Sequence, residues 1–448
     1  MKQFSFRILF VFTFCAAFGL SSCQKEESNS TPQFNLFSDT IEVDYIGTTT
    51  TFSIETNQSW EIAGTTDWCS VDRTSGNGFY SLTLTVTPND GEMRHTKLQI
   101  TAGKETKSIY VYQWGDIFSV PDAAFRNFFL SNGYASATEG DKIKINSAGR
   151  GLRTLNVTNL GIESLAGIEN LTLLQYIFCD SNLLTTTAEL WRNSSLITLN
   201  VAHNRLTEID LDNNTMLQNL DCSDNLLEQM PIDSVISLKT LAFSNNQVSD
   251  AHFLKNMPLL EQLSCDNNRI TSLDLSKNPK LSRLVANNNR LSELATGTAN
   301  LSFLACQNNE LQGLTLSAMR NLQELNCSDN QLASLDLSKN GYLLSIQCQN
   351  NKLPALDLTA CTVLNWIDCS NNQLTDLQIP GATGGINTSL DSLSCNDNLL
   401  EELDVSPARS LQTLRCLNNP LETLRCYLLS SLSVAQIPET ATIIETGL

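Results

Sequence analysis

Leu263-Ser264-Cys265-Asp266-Asn267-Asn268-Arg269-Ile270 decides the fold, because it returns as Leu325-Asn326-Cys327-Ser328-Asp329-Asn330-Gln331-Leu332. The shared unit is L-x-x-L-x-C-x-x-N-x-L. Its asparagine runs through Asn182, Asn204, Asn225, Asn246, Asn268, Asn289, Asn309, Asn330, Asn351, Asn372, Asn398 and Asn419. Successive markers lie 20 to 22 residues apart, save one interval of 26 between Asn372 and Asn398. A fixed period of this kind dictates stacked modules, each too small to close a core alone. Within a module the second leucine and the cysteine point to one side of an extended segment, and the residues flanking them point to the other. Neighbouring segments then pair in parallel. Each asparagine is suited to bond the backbone of adjacent turns. A second apolar pair, as in Leu273-Asp274-Leu275 or Leu335-Asp336-Leu337, covers the outer side. Too few residues remain there for an amphipathic helix, so that side is expected to be β-like or 3₁₀. Twelve rungs about 4.8 Å apart make a sheet roughly 50 Å long.

These rungs resemble the leucine-rich repeat. The resemblance implies a curved solenoid over residues 152–431, with a parallel sheet on its concave face, and it implies that this face binds partners. Ends of a solenoid expose a raw core and need caps. Val120-Pro121-Asp122-Ala123-Ala124-Phe125-Arg126-Asn127-Phe128-Phe129-Leu130 reads as a short capping helix inside an N-terminal cap, residues 116–151. The first rung carries Leu160 where asparagine is expected. Residues 432–448 lose the asparagine and close the stack with a last strand.

Nine cysteines share one site of the unit: Cys179, Cys222, Cys265, Cys306, Cys327, Cys348, Cys369, Cys395 and Cys416. Val201, Phe243 and Ala286 take that site in other rungs, which marks it as apolar core. Zinc wants four ligands converging on a point, not a line of parallel vectors. Adjacent rungs are near enough for a disulfide, but parallel side chains reach its dihedral with difficulty. Buried, inert thiols are expected, against the secreted-protein habit of disulfides.

The chain has 448 residues, with 28 Lys+Arg against 47 Asp+Glu, a net charge of -19 and a pI near 4.5. That excludes a basic nucleic-acid footprint. Residues 1–22 read as a signal peptide: Lys2 and Arg7 precede an apolar stretch, Ile8 to Leu20, too short to span a bilayer. Leu20-Ser21-Ser22-Cys23 resembles a bacterial lipobox, which implies lipidation of Cys23. Residues 23–33 are polar and expected to be a disordered tether. Their Lys25-Glu26-Glu27 run resembles the export signal of Gram-negative outer-membrane lipoproteins. The expected address is therefore the outer membrane, facing the cell exterior, with the lipid as the membrane anchor.

Residues 34–115 change to short runs of period two, such as Thr40-Ile41-Glu42-Val43-Asp44-Tyr45 and Leu82-Thr83-Leu84-Thr85-Val86, which argue a small antiparallel β-sandwich. Asn57-Gln58-Ser59-Trp60, Trp68-Cys69-Ser70-Val71, Ser75-Gly76, Pro88-Asn89, Arg94 and Gln113 together resemble the BACON domain, an immunoglobulin-like module named for supposed carbohydrate binding. Trp60 and Trp68 are expected in the core rather than on a sugar platform, and Cys69 as a buried free thiol. The whole chain is thus mainly β: an immunoglobulin-like sandwich followed by a curved solenoid.

The candidate binding residues face inward from the parallel strands: Tyr176, Phe178, Asp180, Asp221, Asp266, Arg283, Phe303, Glu324, Trp366, Asp368 and Arg415. Exposed aromatics on a rigid sheet are natural anchors. The insertion Pro380-Gly381-Ala382-Thr383-Gly384-Gly385 is a candidate ligand loop. Asp210, Asp274, Asp336, Asp357 and Asp404 recur at one outer site and read as a solvated face rather than a calcium ladder. His95, His203 and His252 are scattered. No nucleophile–base pair and no phosphate loop is seen, so no enzyme, cofactor or metal is expected. The reading is a monomeric adhesion lipoprotein whose inner wall binds an extracellular protein. The alternative is a glycan-binding component of a polysaccharide-uptake system acting through the sandwich.

Overall fold

The computed structural model describes residues 33–447, apart from Thr298, Ala382 and Thr383. The signal peptide, Cys23 and the tether up to residue 32 lie outside the described residues. The chain divides into two compact units. Among the described residues, the first comprises residues 33–89 together with Arg94–Gln113. The second comprises Asp90–Met93 with residues 114–447.

The first unit is a β-sandwich of nine strands: β1 Phe34–Leu36, β2 Thr40–Val43, β3 Thr48–Thr56, β4 Ser59–Ala63, β5 Cys69–Val71, β6 Ser75–Asn77, β7 Tyr80–Val86, β8 Arg94–Ala102 and β9 Glu105–Gln113. One sheet has the order β1-β3-β7-β5 and the other β2-β9-β8-β4-β6. Ile54, Leu82 and Leu84 from the first sheet meet Leu98, Ile100, Ile109 and Val111 from the second. The sandwich is not wholly antiparallel as expected, because β2 pairs with β9 in parallel. The chain's first extended run switches sheets at Ser38, whose hydroxyl bonds the backbone of Thr40. Trp60 is 1% exposed, and its indole N–H donates to Gly78 O at 3.0 Å. Gly76 makes room for it, since a Cβ there would lie 2.4 Å from the ring. Trp68 is half-buried with the Arg94 guanidinium 4.6 Å from its ring centre. Buried Gln113 donates to Thr87 O at 2.7 Å and accepts from Arg94 Nε at 2.8 Å. Arg94 and Gln113 thus tie β8 and β9 to the loop that follows β7. Cys69 is a buried free thiol, as expected.

The second unit opens with the cap. Helix α1, Ala123–Ser131, starts at Asp122, whose carboxylate accepts from Phe125 N at 2.9 Å and from Glu163 N at 2.7 Å. Phe125 and Phe129 are fully buried over the end of the stack. Three antiparallel strands accompany the helix: Ile117–Ser119, Ala135–Ala137 and Lys142–Ile145. Their weak sequence pattern had pointed only to the helix.

From Thr154–Asn156 to Val434–Gln436 the inner strands form one fourteen-stranded parallel sheet in register. Two rungs lack the marker asparagine and bracket the twelve that have it. The outer side carries short parallel pairs, such as Ser272–Asp274 with Glu293–Ala295, and 3₁₀ turns such as His252–Asn256. At the far end Thr442–Glu445 extends the outer sheet beside Thr423–Cys426.

Each asparagine joins two rungs. The Asn330 amide donates to Cys306 O of the preceding rung at 3.0 Å and to its own Cys327 O at 3.2 Å. Its oxygen accepts from Leu311 N of the preceding rung at 3.0 Å. The pattern begins with Asn182, which accepts from the Leu160 and Ile162 amides. The residue just before each of the twelve markers is left-handed, as is Asn159 before Leu160 in the first rung: these thirteen non-glycine residues have φ between 52° and 58°. Asn and Asp tolerate that region best, and only Ser181 and His203 depart from them. A second asparagine column, not recognised in the sequence, holds the outer turns. The amides of Asn193, Asn214, Asn278 and Asn340 each donate to two carbonyls of the rung before.

The outer aspartates end the outer segments in tight turns. Asp274, Asp336, Asp357 and Asp404 accept from Ser276, Ser338, Thr359 and Ser406 amides, each at 2.9 Å. For Asp274 and Asp336 the backbone bond is the main cause of a lowered pKa.

The nine column cysteines are free thiols with no exposed surface, alongside Val201, Phe243 and Ala286. Burial pushes the Cys306 thiol from 9.0 up to about 12. Below about pH 9 both folded and unfolded chains keep the proton. Above it the unfolded chain ionises while the folded column does not, so stability falls until the pH passes the folded value.

Two outcomes follow. Asn330→Ala should cost about 1–3 kcal/mol, read as a lower urea midpoint, because it strands the Leu311 amide and leaves Cys306 O and Cys327 O with one asparagine donor each, from Asn309 and Asn351; exposed Glu310→Ala should cost under about 0.5 kcal/mol. Stability should fall between pH 9 and 12, with a slope of up to about 1.4 kcal/mol per pH unit per column thiol. Cys306→Val should make that fall shallower in urea titrations; an unchanged slope would refute the assignment.

Candidate binding surface

The inner wall of the sheet is built by alternation. Along each strand one leucine or isoleucine turns into the core and its two neighbours turn outward, as in Tyr176–Phe178, where Ile177 is buried and Tyr176 is 36% exposed. Because the strands are in register, equivalent residues line up as columns. Tyr176, Arg283, Phe303, Glu324 and Trp366 share the first column. Phe178, Asp221, Asp368 and Arg415 share the second. Asp180 and Asp266 sit two residues further on, at the edge of the wall. Every candidate named from the sequence therefore lies on this face, but they do not form one cluster.

Three local groups emerge. Tyr176 and Phe178 share a strand and are flanked by Thr154 and Thr198, and by Asn156 and Asn200. Beside them Asp180 accepts from Thr158 Oγ1 at 2.8 Å. In the middle of the wall the Arg283 guanidinium lies 3.7 Å from the Phe303 ring centre on the next strand. Phe303 is thereby covered by a cation and is not the free aromatic that the sequence suggested. Asp266 stands nearby, accepting from Asn287 N at 2.6 Å. Burial raises its pKa, and the Asn287 amide and the Arg283 charge oppose that rise. Further along, half-buried Trp366 stands in register between the small residues Ser345 and Ser392.

The charged groups are held by the scaffold. Asp221 and Asp368 each accept from the amide two residues on, Ser223 and Ser370, at 3.0 Å. Asn326 bridges the Gln307 and Gln347 side chains of the strands on either side. Such fixed polar groups lose little entropy on binding.

One feature of the surface escaped the sequence reading. Tyr342 and Val363 occupy the same turn position in consecutive rungs and are 64% and 38% exposed. Leu344, 44% exposed, lies beside them and its carbonyl accepts from Trp366 N. An apolar edge thus adjoins Trp366. Its signal was there: the corresponding positions in Asn193-Ser194-Ser195-Leu196 and Asn278-Pro279-Lys280-Leu281 are polar.

Two shallow clefts, of about 460 and 340 Å³, open beside Phe37 and Lys107 in the sandwich and beside Leu226 and Pro231 in the solenoid. Among the described residues no three His, Cys, Asp or Glu side chains are grouped to hold a metal ion. Of the insertion after Ile379, Ala382 and Thr383 lie outside the described residues, and Asn387 bridges to Ala408 at its end.

Residues 58–113 match the family model of BACON, a putative binding domain found N-terminally, and residues 236–278 match that of leucine-rich repeats in two copies. No curated protein matches the chain. Among solved structures, the functional domain of InlJ from Listeria monocytogenes, which includes a cysteine ladder, is 25% identical, with 73% of this chain and 77% of that one covered and a TM-score of 0.53. The internalin InlF from Listeria monocytogenes is 22% identical over 67% of this chain and 90% of its own, with a TM-score of 0.57. YopM, a leucine-rich effector protein from Yersinia pestis, is 25% identical over 66% of this chain and 89% of its own, at 0.52. Folds of this kind typically serve as non-enzymatic binding scaffolds. The chain thus joins a segment that matches BACON to a solenoid that matches leucine-rich repeats both by family model and by fold.

Proposed function

We propose that the protein is a lipid-anchored adhesin of the outer cell surface, whose solenoid grips an extracellular protein along its inner wall. The observation that carries this reading is the wall itself: fourteen in-register strands present fixed columns of side chains, with aromatic anchors at Tyr176, Phe178 and Trp366. Large, stiff aromatics on a rigid base gain much buried area for little lost entropy. Trp366 gains reach from the apolar edge of Tyr342, Leu344 and Val363. Asp221 and Asp368, already fixed by backbone bonds, select partners of complementary charge rather than supply affinity. The internalin-like architecture supports a binding scaffold in general. Anchoring through Cys23 rests on the lipobox alone. The glycan reading is weaker, since Trp60 is buried in the sandwich and Trp68 is covered by Arg94.

Fluorescently labelled protein should bind intact target cells saturably, and trypsin treatment of those cells should abolish the binding. Tyr176→Ala and Trp366→Ala should each weaken it about ten- to thirty-fold without altering the melting temperature. Lys277→Ala on the outer turn should not. Binding that survives trypsin but not glycosidase would overturn the protein-partner reading. Protease shaving of producing cells should remove the protein; its survival would place it inside the envelope.

A further inference from the structure

Six column cysteines directly follow six consecutive strands of the inner sheet: Cys306, Cys327, Cys348, Cys369, Cys395 and Cys416. The long interval after Asn372 does not interrupt them, because Trp366–Asp368 still pairs in register with Ser392–Ser394. All six are fully buried. They are close enough to act on one another: Cys327 and Cys369 both raise the Cys348 pKa, behind the larger effect of burial, and Cys369 and Cys416 do the same to Cys395. The other three column thiols have no such neighbours, since Val201, Phe243 and Ala286 stand between them and along from them.

Strand spacing sets about 4.8 Å between successive side chains. A disulfide needs its Cβ atoms near 3.8 Å, so each bridge would pull two rungs about 1 Å together. Among the described residues a tetrahedral ion finds no third donor. A linear ion bound by two sulfurs is different. With metal–sulfur bonds of about 2.3–2.4 Å, its sulfur-to-sulfur span is about 4.7 Å, which is the strand spacing. Soft cations are the ones that choose thiolate ligands.

We propose that adjacent thiols of the Cys306–Cys416 column bind linear, thiophilic divalent cations of the mercuric type, three to a chain, each bridging two rungs. In each step one cation displaces the protons of two thiols and forms two metal–sulfur bonds. Two protons leave and nothing is oxidised or reduced. The product is a neutral dithiolate, which the apolar core accepts. A monovalent soft cation between two thiolates would leave a net negative charge buried, at a large cost. Burial of the sulfurs makes entry slow, because a rung must open before the cation can pass. This site lies behind the inner wall and does not depend on what the wall binds.

The test is titration of the purified protein with mercuric chloride, read by native mass spectrometry and by far-ultraviolet circular dichroism. Three column variants separate bridging from chance thiol capture, with valine chosen because Val201 already fills this site. Wild type should take three cations more than the variant with all six thiols changed to valine. Cys327→Val with Cys369→Val and Cys416→Val keeps three thiols but no adjacent pair, and should lose all three cations. Cys306→Val with Cys327→Val should lose one. The dichroism of loaded wild type should stay that of the free protein. Retention of three cations by either partial variant, or loss of the solenoid's dichroism on loading, would overturn the proposal. Should the alternating variant fail to fold, the loss of one cation by the paired variant decides.

Discussion

A buried amide that answers two rungs at once is the constraint on which the rest depends. Every turn that leaves an inner strand exposes carbonyls and amides that no strand partner can reach. Buried and unpaired, they would cost more than the leucines gain. Asn330 meets three of them with one side chain, and its counterparts repeat this along the stack. The same geometry forces the preceding residue into a left-handed conformation, which is why Asn or Asp so often stands there. Periodicity in the sequence is the trace of this one requirement.

Once the turns are fixed, the strands fall into register, and register sets the function. A one-residue slip would exchange core and wall along a whole strand. In register, the leucines and thiols stack as a dry spine and the wall becomes a set of ruled columns. Burial at the cysteine site keeps the thiols protonated through the physiological pH range. The wall then presents fixed aromatic and charged groups with little left to order on contact.

The solenoid was legible because its information is local and repeated: the spacing of Asn182 through Asn419 alone gives the rung count to within the two end rungs. Burial of Trp60 and Cys69 followed from the sandwich pattern. What escaped the sequence depends on neighbours distant in the chain. The parallel pairing of Thr40–Val43 with β9 comes from a strand switching sheets, and period two says nothing about direction. Strands of three or four residues beside α1 are too short to show periodicity. Arg283 over Phe303 is a contact between adjacent rungs, invisible until the columns are aligned. Tyr342 and Val363 lie 21 residues apart in turns, and they form a patch only once the rungs are stacked. The function was legible only in kind: the columns make a candidate binding wall, whereas the choice of partner depends on the partner's surface.

Native-state hydrogen exchange at the amides that the ladder holds tests the account most directly. Leu184, Leu227, Leu311, Leu332 and Leu400 each donate to an asparagine oxygen of the following rung at 2.9–3.0 Å. These turn amides should be protected as strongly as those of the inner strands and should exchange together with them. Exchange at the rates of an open loop, while the strands stay protected, would show that the asparagines do not hold the stack.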